Sequence, residues 1–227
     1  MILIPSSNPL PYLRVEDFFT DVQLNQLILP EIEYLSKSSK LRSAEDTGAA
    51  RDRDGKIAKK NSGVFIEELY RDSSMSEIST VLKQFWNTKV CGAIESVGPW
   101  NRSFRQCNTT ATLLSYYQDG DYYLPHIDDC HYTLLIWLWK EPRQFEGGQF
   151  IFNDTKEKLP MKNNSAVLFP SCYSHSVNKV TMKDQSPYNG MGRYTISRFY
   201  WITQNSGDMC TFNGTHPIEL PDGVNIV

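Results

Sequence analysis

The sequence predicts a mainly β protein of the α+β class, in which helices precede a sandwich or barrel of antiparallel strands. Beyond residue 110, short runs of β-branched and aromatic residues alternate with clusters of Gly, Asp, Asn and Pro. A chain of 227 residues that is 40% apolar and 12% aromatic can bury one large core. We therefore expect one domain over 1–227, with helical support and a loop in 1–110, a β core in 111–203 and a C-terminal tail in 204–227.

The first predicted helix spans residues 17–35, where apolar side chains recur at helical spacing. Thr20 and Gln23 form a capping-box signature at its start. Pro30 removes one backbone donor, so we expect a kink or break before it. The following stretch, residues 36–63, is short of large apolar groups and predicts a long surface loop.

A second helix is predicted over residues 75–89, with Ser74 and Glu77 as its capping box. The β core follows it, and its runs have the composition of strands. In chain order these runs are ATLLSYY, YTLLIWLW, GGQFIF, SAVLFP and RYTISRFYWI.

Charge and cysteine content narrow the class of protein. The formal net charge is −3 and the pI is about 5.8, which does not favour nucleic acid or an anionic membrane as a partner. The sequence has no secretory signal pattern and no long apolar run. Its five cysteines are odd in number and contain no Cys-x-x-Cys pair, so we expect reduced thiols in a soluble cytoplasmic protein.

A candidate metal site begins at His126 and Asp128, which follow a strand-like run and a turn. In an extended segment their side chains share one face. Two imidazoles and one carboxylate on one face of the metal suit redox iron, because the opposite positions stay open. His175, after the run SAVLFP, is the best second histidine, since His131 follows Asp128 too closely and His216 lies in the polar tail.

Two other interpretations of these residues stay open at this point. The first is an exposed polar turn without a metal. The second is a zinc site formed by Cys130 and Cys172 with His131 and His175, although the spacings fit no usual structural zinc pattern.

The sequence around these residues resembles the 2-oxoglutarate/Fe(II) dioxygenases, and the prolyl 4-hydroxylase-like branch most closely. The resemblance runs in order through LLSYYQDGDYYLPHIDD, the GGQF turn at 147–150, SAVLFP with His175 after it, and GRYTISRFYW at 192–201. It implies a double-stranded β-helix, or jelly roll, supported by N-terminal helices. It also implies Fe(II), with 2-oxoglutarate and O₂ as cosubstrates, and is compatible with ascorbate as a further component.

The resemblance assigns Arg193 to the distal carboxylate of 2-oxoglutarate, and its planar guanidinium suits that role. Thr195 lies on the same side of the strand and adds a hydroxyl. Tyr116 matches a family tyrosine whose hydroxyl also reaches the cosubstrate. The alternative for Tyr116 is a place in the core, with Tyr117 on the other face.

Three features depart from the family pattern or bear on its branches. Arg198 is five residues from Arg193 and should point to the opposite face, which disfavours the branch that repairs alkylated bases. Trp137 stands where related oxygen-sensing hydroxylases have a cosubstrate-binding tyrosine, so that contact is missing or replaced. The segment 178–192 is longer than the usual connection and predicts an inserted hairpin loop.

The expected activity is hydroxylation of a C–H bond, coupled to decarboxylation of 2-oxoglutarate to succinate and CO₂. Family likeness favours a prolyl residue in a peptide or protein as substrate. A hydroxylase of a free amino acid or small metabolite should instead have a closed pocket with a second charged anchor. A third interpretation is a metal-binding jelly roll without turnover.

Overall fold

The computed structural model describes residues 1–51, 54–203 and 210–211, and most of its strands belong to two antiparallel sheets. In chain order the strands are β1 (Ile2–Ser6), β2 (Tyr12–Glu16), β3 (Arg42–Ser43), β4 (Lys59–Lys60), β5 (Ser62–Phe65), β6 (Thr109–Tyr117), β7 (Tyr122–His126), β8 (Tyr132–Leu138), β9 (Phe145–Gly147), β10 (Phe150–Phe152), β11 (Glu157–Lys158), β12 (Ser165–Pro170), β13 (His175–Val177), β14 (Val180–Met182), β15 (Arg193–Trp201) and β16 (Cys210–Thr211).

The two sheets form the predicted jelly roll. The larger sheet runs in the order β1-β2-β12-β8-β15-β6-β5-β3, with β16 beside β6. The smaller sheet runs β11-β10-β13-β7-β4, and β14 pairs with β9. All five strand-like runs of the β core are strands in the structure, so the mainly β fold class is confirmed.

The two faces of the larger sheet pack against different neighbours, as β8 illustrates. All seven of its residues are buried. Leu135 and Trp137 belong to the core between the sheets, together with the phenylalanines of β10. Leu134, Ile136 and Leu138 belong to the core beneath the helices. Each such side chain stabilises the fold by about 1.5–3 kcal/mol, because it leaves water on one face or the other.

The helices cover the outer face of the larger sheet. Within the described ranges, none of them combines the length and apolar character needed to cross a membrane. They are a π-helical turn (Gln23–Ile28), α1 (Leu29–Lys37), α2 (Ile66–Leu69), α3 (Glu77–Phe85) and α4 (Thr88–Ser96), with 3-10 turns at Ala44–Asp46, Ser73–Met75 and Pro99–Gln106.

The first predicted helix and its cap are confirmed, but the helix is not broken before Pro30. The backbone N–H of Thr20 donates to Gln23 Oε1 at 3.0 Å, and the backbone N–H of Gln23 donates to Thr20 Oγ1 at 3.1 Å. The π-helical turn changes to α1 at Leu29, with Pro30 in the first turn of α1. Helical backbone continues through Pro30, since the N–H of Leu29 donates to the carbonyl of Leu24, so the helix changes its hydrogen-bond pattern there and does not end.

The second predicted helix differs from the structure in its cap and its length. Ser76, not Ser74, caps α3, because its hydroxyl accepts a hydrogen bond from the backbone N–H of Ser79. The carboxylate of Glu31 accepts a second hydrogen bond, from the backbone N–H of Ile78. The Ser74 prediction is therefore wrong, because a buried carboxylate from another helix helps to fix the start of α3. The segment then divides into α3 and α4, and Asn87 caps α4.

The predicted surface loop over 36–63 is also partly wrong. Strands β3 and β4 lie within it, and Lys59 and Asn61 are buried. These strands are held by backbone pairing to β5 and β7, which does not require apolar side chains. Apart from β16, the predicted tail over 204–227 lies outside the described residues.

Candidate active site

Strand pairing places His126, Asp128 and His175 together. His126 ends β7 and is the register partner of His175 at the start of β13. Nε2 of His126 lies 3.6 Å from Asp128 Oδ1, and Nε2 of His175 lies 3.5 Å from Asp128 Oδ2. The ligand atoms of all three residues lie within 4.8 Å of one another, which is close enough to share one metal ion. The structure thus brings together the three residues that the sequence analysis selected.

Hydrogen bonds orient the two imidazoles. Nδ1 of His126 lies 2.8 Å from the carbonyl of Leu124, and Nδ1 of His175 lies 2.9 Å from the carbonyl of Tyr173. A carbonyl only accepts, so Nδ1 carries the proton and donates in both rings. The lone pair of each Nε2 is therefore left for a metal, which is the usual arrangement of histidine ligands.

Asp128 is fixed by a hydroxyl network behind the site. Thr133 Oγ1 donates to Asp128 Oδ2 at 2.6 Å and lies 2.8 Å from Ser171 Oγ. The Cys130 thiol lies 2.9 Å from the same Ser171 hydroxyl. Such supporting hydrogen bonds hold a ligand carboxylate in one orientation. Sequence reasoning missed Thr133, because it faces the site only through the pairing of strands.

The donor set fits Fe(II). Burial, followed by the neighbouring His175, lowers the pKa of the His126 imidazole to about 3, so this ring is neutral at physiological pH. Two imidazoles and one carboxylate suit a divalent iron ion with open positions. The metal-capable cluster of the described residues contains neither Cys130 nor Cys172, and Cys172 is exposed. The zinc alternative therefore finds no support in this geometry.

Arg193 lies in the same cavity as the three candidate ligands, fully buried at the start of β15. Its Nε and Nη1 atoms have no hydrogen-bond partner among the described residues, and its guanidinium lies 5.0 Å from the centre of the Tyr117 ring. Burial lowers the pKa of Arg193 to about 10, which still leaves it charged at neutral pH. An unpartnered buried cation of this kind is costly unless an anion binds it.

Two further polar atoms without described partners lie on the same face of the sheet. They are Thr195 Oγ1 and Trp137 Nε1, both in buried side chains. Thr195 and Trp137 are register partners on β15 and β8, so their side chains share a face. Like Arg193, both can donate hydrogen bonds. Where a tyrosine was expected, Trp137 thus offers an indole N–H.

The structure does not place Tyr116 in the cavity. Its ring packs on Tyr194 in the core beneath the helices, and its hydroxyl accepts from the N–H of Gly192 at 3.1 Å. Tyr117 lines the cavity instead, because adjacent residues of a strand face opposite sides. Tyr116 therefore faces away from the cavity, and the prediction that it binds the cosubstrate is wrong. The Tyr116 hydroxyl instead holds the backbone at Gly192, just before Arg193.

The parity prediction for Arg198 agrees with the structure. The cavity wall includes Arg193, Thr195 and Ser197 of β15, whereas Arg198 points to the other face. Its Nη atoms donate to the hydroxyls of Thr110 and Thr112 at 3.0 and 3.3 Å. Arg198 is therefore engaged on the opposite side of the sheet from Arg193.

Lys59 is a site residue that sequence reasoning missed, because it lay in the segment predicted as a surface loop. The side chain lines the cavity, and the residue is only 6% exposed. Burial lowers the pKa of Lys59 to about 8, while the carboxylate of Asp128 acts to raise it. Its neighbour Lys60 points to solvent, so strand pairing rather than composition determines which lysine enters the site.

The cavity as a whole has a volume of about 450 Å³. It extends along β15 from Arg193 to Phe199 and Trp201, with the two candidate histidines on the facing sheet and Asp128 in the loop after β7. A volume of this size is typical of small-molecule and cofactor sites. The chemistry that it offers is a cluster of metal-binding atoms beside a buried pocket for an anion.

Comparisons with known proteins identify relatives of this arrangement. Residues 111–201 match the family model described as the 2OG-Fe(II) oxygenase superfamily. A search of curated proteins gave no match. Among solved structures, a prolyl-4-hydroxylase from Pseudomonas putida is similar, with a TM-score of 0.55 and 15% identity over 84% of this chain and 91% of that one.

Two other structures share the fold. A 2OG-Fe(II) oxygenase family oxidoreductase from Burkholderia pseudomallei has a TM-score of 0.50 and 13% identity over 80% of this chain and 82% of that one. A prolyl 4-hydroxylase structure from Phytophthora capsici has a TM-score of 0.52 and 15% identity over 83% of this chain and 58% of that one. At these identities the likeness extends to the fold alone.

Proposed function

Residues 111–201 belong to the 2OG-Fe(II) oxygenase superfamily, and on that premise we propose that the chain is an Fe(II)- and 2-oxoglutarate-dependent dioxygenase. In this proposal it hydroxylates a C–H bond while 2-oxoglutarate is decarboxylated to succinate and CO₂. The family implies Fe(II), 2-oxoglutarate and O₂. Ascorbate is kept as an optional component of the assay.

One observation supports the proposal above the others. The His126, Asp128 and His175 cluster opens into the same cavity as Arg193, whose Nε and Nη1 lack described partners. A metal site alone would suit a binding module. A buried cation facing the same space calls for an anionic cosubstrate as well.

Each side chain has a distinct role in the proposed reaction. His126, Asp128 and His175 would hold Fe(II), which supplies the oxidising chemistry with 2-oxoglutarate and O₂. Arg193 would bind the distal carboxylate of 2-oxoglutarate through two hydrogen bonds, assisted by Thr195. Arg193 and Thr195 are buried, so charged interactions there would be stronger than in solution.

For the substrate we propose a prolyl residue in a peptide or protein. The support is the fold shared with prolyl 4-hydroxylases of two organisms and the partly exposed aromatic side chains of Phe199 and Trp201 in the cavity wall. The test is mass spectrometry of proline-containing peptides after incubation with the chain, Fe(II), 2-oxoglutarate and ascorbate. The expected result is a gain of one oxygen on proline, matched by one succinate per hydroxylation.

A second candidate is hydroxylation of a free amino acid or another small acid. The observation that favours it is Lys59, a second buried cation in the cavity. The same assay with free amino acids separates the two candidates. Succinate production without an oxidised peptide or acid under saturating substrate would exclude both substrate classes while leaving cosubstrate turnover intact.

The proposed location is the cytoplasm. It is supported by the free thiols of the four cysteines whose side chains are described, namely Cys91, Cys107, Cys130 and Cys172. Fractionation of the native source with an antibody against the chain would test the location directly, and recovery in an oxidising compartment would contradict it.

A further inference from the structure

The cavity contains a second buried cation, Lys59, to which the proposed prolyl hydroxylation assigns no role. Lys59 lies on β4 opposite Tyr123 of β7, with its side chain directed into the cavity. Its Nζ lies 5.7 Å from the centre of the Tyr123 ring, which in turn stacks on His126 at 3.5 Å. Lys59 is therefore close to the metal-binding cluster, where the reacting C–H bond must also lie.

Lys59 forms no ion pair among the residues that the structure describes. The negative charge that acts on it is that of Asp128, which lies beyond the 4 Å limit of an ion pair. A lysine that is 6% exposed as a residue, and whose ammonium has no counter-ion among the described residues, costs the fold stability. Such groups are found at functional sites more often than chance predicts, because a bound ligand supplies the missing charge.

The other carboxylates of the cavity wall do not supply this charge. Burial raises the pKa of Glu67. The positive charge that acts to lower this pKa is that of Arg198, not that of Lys59. Glu68 and Asp129 are exposed to solvent. Lys59 therefore faces the cavity without an ion-pair partner in the part of the chain that the structure describes.

The cosubstrate does not supply the negative charge for Lys59 either, because the charges of metal, cosubstrate, Arg193 and Asp128 already balance one another. The two positive charges of Fe(II) and the charge of Arg193 together offset the two carboxylates of 2-oxoglutarate and that of Asp128. With metal and cosubstrate bound, the charge of Lys59 remains in excess beside the cluster. Since no described carboxylate pairs with Lys59, an anionic substrate is the component that can balance this charge.

We propose that Lys59 binds a carboxylate of the substrate and so selects an anionic substrate next to the metal. This inference rests on the proposed function and adds the chemical class of the substrate. The carboxylate has two sources, which are the α-carboxylate of a free amino acid and an acidic side chain beside proline in a peptide. Lys59 acts through binding and takes no part in proton transfer.

The test is calorimetric binding to the full chain loaded with Zn(II), which is inert to oxygen, and 2-oxoglutarate. The probes are two pairs that differ by carboxylate against amide: L-proline with L-prolinamide, and acetyl-Pro-Glu-amide with acetyl-Pro-Gln-amide. The wild-type chain should bind one acid about tenfold to hundredfold more tightly than its amide twin. Preference for L-proline identifies the free amino acid, and preference for the glutamyl peptide identifies the acidic side chain.

Three variants assign the preference to Lys59. Lys59→Met should remove it, Lys59→Arg should retain part of it, and the neighbouring Lys60→Met should retain all of it, because Lys60 faces solvent. Without any ligand, Lys59→Met should melt at the wild-type temperature or above, since it removes a buried unpaired charge. A merely structural lysine would give a lower melting temperature.

The outcomes separate this inference from the function on which it rests. A chain that binds 2-oxoglutarate but binds acid and amide twins equally, or binds neither, overturns the role of Lys59 alone. A preference that persists in Lys59→Met does the same. A chain that does not bind 2-oxoglutarate at all overturns the proposed function and the inference with it.

Discussion

Replacing Arg193 by methionine is the substitution that most specifically removes the proposed cosubstrate pocket. The methionine keeps most of the volume of the side chain but removes the charge and every donor. The structure gives two nitrogens, Nε and Nη1, without described partners. We expect Arg193→Met to weaken binding of 2-oxoglutarate while the fold is retained.

The magnitude follows from these two nitrogens. Each charge-assisted hydrogen bond that they would donate to a carboxylate contributes about 1.5–3 kcal/mol. Loss of both at the lower figure is about 3 kcal/mol, which corresponds to roughly a 100-fold rise in Kd. Stability should change little, because the lost contact with the Tyr117 ring, about 1 kcal/mol, is opposed by removal of a buried unpaired charge.

The assay is an anaerobic titration of the Fe(II)-loaded chain with 2-oxoglutarate. Arg193→Lys is the charge-matched variant and should bind with intermediate affinity, because an ammonium lacks the planar fork. Arg105→Met, which removes a surface arginine paired with Glu95, is the control and should bind like the wild type. A Kd for Arg193→Met within about threefold of wild type would refute the assignment, since the difference would be under 1 kcal/mol.

Three other substitutions test separate parts of the account. Thr133→Val removes the 2.6 Å hydrogen bond to Asp128 and should weaken metal binding by about tenfold to 100-fold, measured by competition with a chelating dye; unchanged affinity would contradict the supporting role. Lys59 has a folded-state pKa of about 8, below its usual 10.5, so the unfolded chain binds more protons between these values and wild-type stability rises with pH there. The stability advantage expected for Lys59→Met at pH 7 should therefore shrink from about pH 8 upward in denaturant titrations, by up to about 3 kcal/mol, and a constant difference would count against a charged lysine. Gly192→Ala would place a Cβ in collision with the Tyr117 carbonyl oxygen, so it should lower the free energy of unfolding by about 2–4 kcal/mol, and a wild-type denaturation midpoint would be inconsistent with that close approach.

The sequence predicts the β core well, because its signals are local. The alternation of β8 and β15, and the spacing of His126 from Asp128, depend only on the period of a strand. Arg193, Thr195 and Arg198 fall on the predicted faces for the same reason. These parts of the site can be read from residues that are neighbours in the chain.

What the sequence could not give depends on pairing between distant segments. Lys59 enters the cavity because β4 pairs with β7, and a polar segment carries no sign of that pairing. The cap of α3 uses Glu31, which is 47 positions from its partner. Tyr116 shows the converse, since the motif suggested a cosubstrate contact but strand parity places Tyr117 in the cavity instead.

The proposal that one cavity holds both Fe(II) and 2-oxoglutarate is tested most directly by visible absorption under anaerobic conditions. Addition of Fe(II) and then 2-oxoglutarate to the full chain should produce the weak charge-transfer band of the chelated cosubstrate. The band should be absent from His126→Ala, which removes a ligand whose Nε2 faces Asp128 at 3.6 Å. No band in the wild-type chain at saturating Fe(II) and 2-oxoglutarate, or an equal band in His126→Ala, would contradict the account.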